Sequence, residues 1–223
     1  MPGYILSENR RVVVIATLES ENEKTGDMVQ VWIIRPDMHP VEAVATGADK
    51  AICGDCRLRG VACYVNVGFG PAAVWRAYKR GSYPVLSDYS VFAGRAIRLG
   101  AYGDPAFVPR RVIHKLAAFA HTGYTHQWRR AEWLREFVMA SVDSVTEMLE
   151  ARAAGWRTFR VSSANLAERG EILCPASEEA GHRTKCIDCQ LCDGLRGNDQ
   201  RKSIFIPVHG TRKNNFIQIG EMV

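Results

Sequence analysis

A chain of 223 residues, 47% of them apolar and 24% charged, is long enough to bury one sizeable core and is not the composition of a disordered or fibrous polymer. No apolar run approaches the roughly 18 residues of a membrane-crossing helix, and the first ten residues show no basic stretch followed by an apolar one. A net charge of +5, spread along the chain, permits an anionic substrate or nucleic acid without demanding either. The expectation is therefore a cytoplasmic protein without membrane association, in a compartment that keeps thiols reduced.

Residues 12–18, Val-Val-Val-Ile-Ala-Thr-Leu, read as a buried strand, and residues 29–34, Val-Gln-Val-Trp-Ile-Ile, as a second. The polar turn from Ser20 to Gly26 makes them an antiparallel hairpin. Pro36 and Pro40 end the second strand, and a short helix over 41–50 leads into the first cysteine loop. Strand 64–67 precedes a helix over 72–80, stopped by Gly81. Strand 96–99 ends in a Gly- and Pro-rich turn, and a helix starts near Pro109 with Val112, Leu116 and Phe119 as its apolar stripe. A strand end lies at 123–126, a helix from Ala131 and a strand at 137–140. Ser144 and Glu147 form a capping box that opens a helix over 145–154, with Gly155 past its end. Strands at 158–161, 172–173 and 204–208 follow, the last ending in His209-Gly210.

Strand and helix alternating at this spacing specify βαβ units and an α/β fold with a parallel sheet. Five or six units are too few for a closed eight-fold barrel, so a partial (β/α) barrel is expected, ahead of an open doubly wound sheet. No G-x-G-x-x-G follows the first strand, which removes support for a dinucleotide fold. Residues 1–50 form the N-terminal strands and lead-in, 51–170 the barrel core with the first cysteine loop, and 171–223 a cysteine-rich segment with the last strand, all in one compact domain.

The seven cysteines fall into two groups with none left over. Cys53, Cys56 and Cys63 are spaced C-x2-C-x6-C. Eleven residues separate Cys174 from the run Cys186, Cys189, Cys192, spaced C-x2-C-x2-C. An odd count in a reducing compartment argues against a disulfide framework and for metal. A C-x2-C-x2-C run points three sulfurs into one small volume, as in bacterial ferredoxins, and Cys174 completes a four-thiolate set. Zinc more often uses two separated C-x2-C pairs, so a 4Fe-4S cluster is the leading reading and zinc the alternative. The first group supplies three thiolates: either a cluster with one open iron, or a zinc site completed by a His or an Asp. Cys174 can instead join Cys53, Cys56 and Cys63; spacing does not choose between the partitions.

Polar residues follow the apolar centre of each strand: Asp104, Thr125-His126, Asp143, Ser162-Ser163, Asn165, Cys174 and His209. In parallel α/β folds these positions form one ligand-binding edge. Asp104, His126 and Asp143 are the candidates for acid–base work, and Ser162, Ser163 and Asn165 for binding a cofactor's polar groups. The plainer alternative is turn, cap and loop roles for all six. Tyr102, Tyr124, Trp128 and Trp156 either line a pocket or belong to the core. No Ser-His-Asp arrangement, nucleophile elbow or phosphate loop is present.

A three-cysteine loop leading into a partial (β/α) barrel, with further cysteines near the C-terminus, resembles the radical S-adenosylmethionine enzymes that carry an auxiliary cluster. That resemblance covers residues 50–195 and implies a 4Fe-4S cluster whose open iron binds S-adenosylmethionine. The spacing departs from that family's C-x3-C-x2-C. Five segments resemble a family of bacteriophage and prophage proteins: 20–26, Ile52 to Cys56, Val74 to Arg80, Gly123 to Trp128 (Gly-Tyr-Thr-His-Gln-Trp), and Cys174 to Ser177. This implies a viral or prophage origin, in the cytoplasm of a bacterial host, and brings no activity with it. Two classes of function remain. One is an iron–sulfur enzyme of radical type on a small-molecule or macromolecular substrate. The other is a non-catalytic iron–sulfur or zinc protein that binds a host protein or nucleic acid.

Overall fold

The computed structural model describes residues 2–209 and 212–216. The segment from Tyr4 to Leu6 makes an N-terminal strand that the sequence reading lacked: β1, Gly3–Glu8. It pairs antiparallel with β2, Val13–Thr17, which pairs antiparallel with β3, Val29–Ile34, so the expected hairpin is present with Ile15 opposite Trp32. The expected 41–50 helix is two: α1, Pro40–Ala45, and α2, Lys50–Cys53, separated by a turn at 46–49. Then come α3, Gly70–Lys79; β4, Ile97–Tyr102; α4, Arg110–Leu116; β5, His121–Thr125; β6, Met139–Val142; α5, Val145–Ala153; β7, Thr158–Ser162; β8, Glu171–Leu173; α6, Cys186–Cys189; and β9, Ser203–Pro207.

The nine strands among the described residues form one sheet in the order β1-β2-β3-β4-β5-β6-β7-β9-β8, parallel at every pairing from β3 onward. The expected α/β class is what the chain adopts. The order follows the chain without reversal from β1 to β7; only the last two strands exchange places. Successive right-handed crossovers in such an order keep the connecting helices on one side. Val112, Ile113 and Leu116 of α4 and Met148 and Ala151 of α5 accordingly bury against Ile97, Leu99, Ala140 and Val142. The alternate residues of the same strands point to the other face. There Met139, Phe159, Ile204 and Ile206 are covered not by a helix layer but by Cys174, Cys186, Leu191 and Cys192.

Three local expectations are corrected. Residues 64–67 are not a strand: both edges of β3 are taken, by β2 and β4. Tyr64 is exposed, and the Asn66 side chain accepts from Gly68 N at 3.1 Å to close a turn. The helix from Ala131 is only a 3-10 turn, Glu132–Leu134. The strand expected at 137–140 lies two residues later, because Phe137 N and Val138 N are bonded to Leu134 O. The capping box holds: Ser144 Oγ accepts from Glu147 N at 3.1 Å, and Glu147 Oε2 accepts from Asp143 N at 2.9 Å. Gly210, Thr211 and residues 217–223 of the expected C-terminal segment lie outside the described residues. No helix among those described is long and apolar enough to cross a membrane.

Arg157, just before β7, fixes the cysteine-rich segment to the sheet. It is buried and donates to the carbonyls of Leu191 at 2.9 Å, Asp193 at 3.1 Å and Lys202 at 3.0 Å. Asp193 and Asp199 close the network with Arg196 and Arg201. Gly194 is required by close approach: a Cβ there would stand 2.1 Å from the Glu136 carbonyl carbon.

Candidate metal centres

Parallel pairing from β3 onward places the C-terminal ends of β3, β4, β5, β6, β7 and β9 on one edge of the sheet. β3 delivers the chain through α1 and α2 directly to Cys53, so the first cysteine loop lies on that edge. Ile52 O accepts from Asp104 N at 2.8 Å, just past β4. Gln127, just past β5, straps the loop: its Nε2 donates to Cys53 O at 3.1 Å and its Oε1 accepts from Asp55 N at 3.4 Å. Gly54 sits at φ +60° against that amide, and a Cβ there would meet Gln127 at 2.5 Å. The loop then turns tightly, with Ala62 N and Cys63 N both donating to Leu58 O. Leu58 and Ala62 pack with Cys56, Val161, Val208 and Phe216.

This folding brings the three thiols into one another's electrostatic range. Burial pushes the Cys53 thiol far above its ordinary value, helped by Asp49 and by the other two sulfurs. Burial likewise raises Cys63. His126 joins them from the end of β5. Burial disfavours its charged form, but Asp143 and Cys56 outweigh this and hold the imidazole well above its usual range. His126 Nε2 stands 3.8 Å from Asp143 Oδ2, a side chain only 2% exposed. Tyr102 is buried in the electrostatic range of Cys53, Asp49 and Cys63. Tyr102 Oη, His126 Nε2 and Asp143 Oδ1 are buried polar atoms without a hydrogen-bond partner, all beside this one group of thiols.

Of the expected acid–base trio, His126 and Asp143 meet and Asp104 holds them in place. Asp104 caps the turn Pro105–Phe107 and accepts from Ala106 N at 2.9 Å, Thr125 Oγ1 at 2.7 Å and His126 N at 2.8 Å. With three donors its carboxylate is fully engaged. Ser162 is buried and its Oγ accepts from Ala164 N at 3.3 Å, a turn-forming contact. Ser163 and Asn165 are exposed loop residues, and no contact among the described residues joins them to His126. His209 bonds Pro207 O and faces Glu179. Tyr102, Trp128 and Trp156 belong to the core; Tyr124 lies on the opposite face of the sheet.

The second group gathers over that face. Cys174 follows β8, its N–H donating to Phe205 O at 2.9 Å. Cys186 and Cys189 sit one turn apart in α6, and Gln190, at φ +49°, reverses the chain so that Cys192 returns to the sheet. Cys192 O accepts from Gly123 N at 2.9 Å, and Cys186 N donates to Lys24 O at 2.9 Å. Cys174, Cys186 and Cys192 share one apolar cluster, and Cys189 acts electrostatically on all three. Cys174 therefore sorts with the C-terminal run and not with Cys53. Burial raises the thiols of Cys174, Cys186 and Cys192. Tyr124 works against that rise at Cys192.

Among the described residues there is no group of three or more His, Cys, Asp or Glu side chains that could hold a metal ion. The seven thiols are free and carry no disulfide. Two cations flank the second group. Arg98, half-buried, donates to Tyr64 Oη at 2.7 Å and has no carboxylate partner among the described residues; Lys24 acts on Cys174 and Cys186. Gln127 and Lys24 lie in the quoted segments 123–128 and 20–26, yet nothing in their chemistry marked them, or Arg98 and Tyr64, as site residues. Gln127 and Tyr64 adjoin residues already singled out; Arg98 and Lys24 are scattered basic residues in the sequence. Comparison with protein-family models, with curated proteins and with solved structures found no match.

Proposed function

We propose that this chain is an iron–sulfur protein with two centres: Cys53, Cys56 and Cys63 serve one at the strand-end edge, and Cys174, Cys186, Cys189 and Cys192 serve the other across the sheet's helix-free face. The observation that carries this is the sorting of all seven thiols into a three from the loop 53–63 and a four from the segment 174–192, with no thiol acting across the two groups. Idle burial explains a single cysteine as a small apolar residue. It does not explain seven in two gatherings, one of them ringed by unpartnered Tyr, His and Asp atoms. The chemistry of the donors fits: soft thiolates select iron–sulfur clusters or zinc. A cluster holds its thiolates at its corners, farther apart than ligands of one ion. The unreversed strand order suits a partial (β/α) barrel, with the first centre at its mouth.

Such centres supply one-electron chemistry when bound. The chain's own residues do the rest. Asp104 and Gln127 position His126 and the Cys53 loop, while Tyr124 and Arg98 place a donor and a cation beside the second group. A thiol-nucleophile reading of Cys56, His126 and Asp143 has the right three groups. It leaves Cys53, Cys63 and the whole second group without a role. Anaerobic purification with iron, sulfide and zinc analysis tests the proposal: roughly eight irons with matching sulfide are expected for two 4Fe-4S clusters. A colourless protein holding zinc and no sulfide would replace iron with a structural metal. A metal-free protein of undiminished stability would end the proposal.

A further inference from the structure

We infer that Arg98 and Tyr64 form a binding site for the terminal phosphate of a small molecule, on the helix-free face of the sheet. The site is built from neither cysteine group, and the inference does not depend on metal. Arg98 lies in β4 between Ile97 and Leu99, which pack under the helices, so its side chain leaves the sheet on the other face. Gln30 of β3 and Thr122 of β5 stand level with it on either side. Both are uncharged, and Gln30 directs its amide nitrogen to Met28 O at 3.0 Å. Arg98 is half-buried, and its one hydrogen bond among the described residues runs from Nη2 to Tyr64 Oη at 2.7 Å. Buried arginines elsewhere are neutralised, Arg160 by Glu171 at 2.6 Å and Arg157 by Asp193 at 3.3 Å. Arg98 has no such partner among the described residues.

A guanidinium drawn partly out of water without a counter-charge is costly, and a bound anion removes that cost. Each edge of the guanidinium offers two parallel N–H groups, the fork that matches an oxyanion. Tyr64 takes one hydrogen of Nη2, which leaves the other edge whole. The Tyr64 oxygen accepts that bond, so its own proton remains to be donated, and no described residue accepts it. The Tyr64 residue is 64% exposed, so packing does not account for its place beside Arg98. The fork and the hydroxyl thus stand together as three donors without an acceptor. A carboxylate or a phosphodiester has two free oxygens, and the fork fills both. A phosphate monoester has a third for the hydroxyl. A nucleic-acid backbone would also need a row of cations, and the side chains level with Arg98 are uncharged.

The test is titration calorimetry on the full-length chain as purified, in buffer free of phosphate. Methyl phosphate, dimethyl phosphate and acetate are the probes, at about pH 8, where methyl phosphate is a dianion. Methyl phosphate should bind at a single site, about tenfold or more tighter than either of the others. Arg98→Gln should abolish that binding. Tyr64→Phe keeps the exposed ring and should weaken methyl phosphate about fivefold while leaving acetate unchanged. Because Tyr64 is exposed, this variant carries the test if Arg98→Gln does not fold. Acetate binding as tightly as methyl phosphate overturns the inference. Undiminished methyl phosphate binding in Arg98→Gln or Tyr64→Phe puts the anion elsewhere and overturns it too. Tighter binding of a short oligothymidylate, lost in Arg98→Gln, would make Arg98 a nucleic-acid contact instead. If wild type binds no methyl phosphate and Arg98→Gln loses iron, Arg98 serves the neighbouring thiols and the inference falls while the two-centre reading stands.

Discussion

Gln127 joins the cysteine loop to the sheet through one amide group, with Cys53 O and Asp55 N as its partners. Removing it takes the acceptor from Asp55 N and one of the two donors from Cys53 O, both part-buried, which costs roughly 1 kcal/mol. Gln127→Ala should therefore lower the melting temperature and weaken metal retention at the first centre while sparing the second; metal analysis in the same sample separates the two. Gly54→Ala acts on the same contact from the other side. It forces a Cβ into a left-handed conformation and into the amide, and should cost about 1–3 kcal/mol. Equal melting of Gly54→Ala and wild type would show that this turn is not constrained. Cys56→Ser should remove the metal of the first centre and leave that of the second, because no thiol is shared between them; a loss of all metal would show the two centres to be coupled. The sequence made the cysteines visible by their spacing. It did not show Gln127, whose function depends on a partner 74 residues away.

The segment from Cys174 to Lys202 lacks the long helices and strands that periodicity detects, and this is why its role was hidden. It takes the place of a helix layer, with Cys174, Leu191 and Cys192 packed on Phe159, Ile204 and Ile206. Arg157 is its anchor, donating to three of its carbonyls. Arg157→Ala leaves those carbonyls and part of the Asp193 and Asp199 charge uncompensated, at a cost of roughly 3 kcal/mol. Loss of metal from the second centre should accompany it. On the proposed two-centre reading Cys189→Ser should lower metal content and melting temperature together, since ligand binding contributes folding energy; unchanged values of both would remove Cys189 from the proposed ligand set. Elements with strong local signals were legible: the β2–β3 hairpin, the Ser144 cap and the strands at β4 and β7. Residues 64–67 have a strand's composition, but β3, the strand before them, is taken on both sides by β2 and β4, a competition decided by tertiary structure. β1 was missed because Tyr4, Ile5 and Leu6 form an apolar patch too short to signal a strand alone.

Taken over the whole molecule, the titrating groups set both ends of the pH range. Asp199 is held well below its ordinary 3.8, chiefly by the hydrogen bond from Arg201, with burial opposing. A depressed carboxyl stabilises the fold above its unfolded value, and that contribution is lost as pH falls toward the folded one. Asp199→Asn should thus be less stable than wild type at neutral pH, and its melting temperature should fall less steeply below about pH 4. At the other end, burial raises the thiols of Cys53, Cys63, Cys174, Cys186 and Cys192 above their ordinary 9.0. The unfolded chain loses those protons first, so the metal-free protein should lose stability as pH rises past 9.0. The loaded protein, whose thiolates are already formed, should not show that loss. Metal uptake should release protons and tighten as pH rises, measurable by titration in weak buffer. Parallel alignment of five successive strand ends was readable from the alternation of strands and helices. The assignment of the cysteine segment to the opposite face was not, because no spacing rule specifies a face.

Because β9 lies between β7 and β8, the sheet cannot be completed in the order in which the ribosome makes it. When β8 emerges, its future neighbour does not yet exist, and all four C-terminal cysteines are synthesised before that neighbour arrives. Cys174 is seated only when Phe205 offers its carbonyl. If the proposed second centre is loaded, its metal therefore belongs after translation has passed residue 207, when the last insertion has locked the edge.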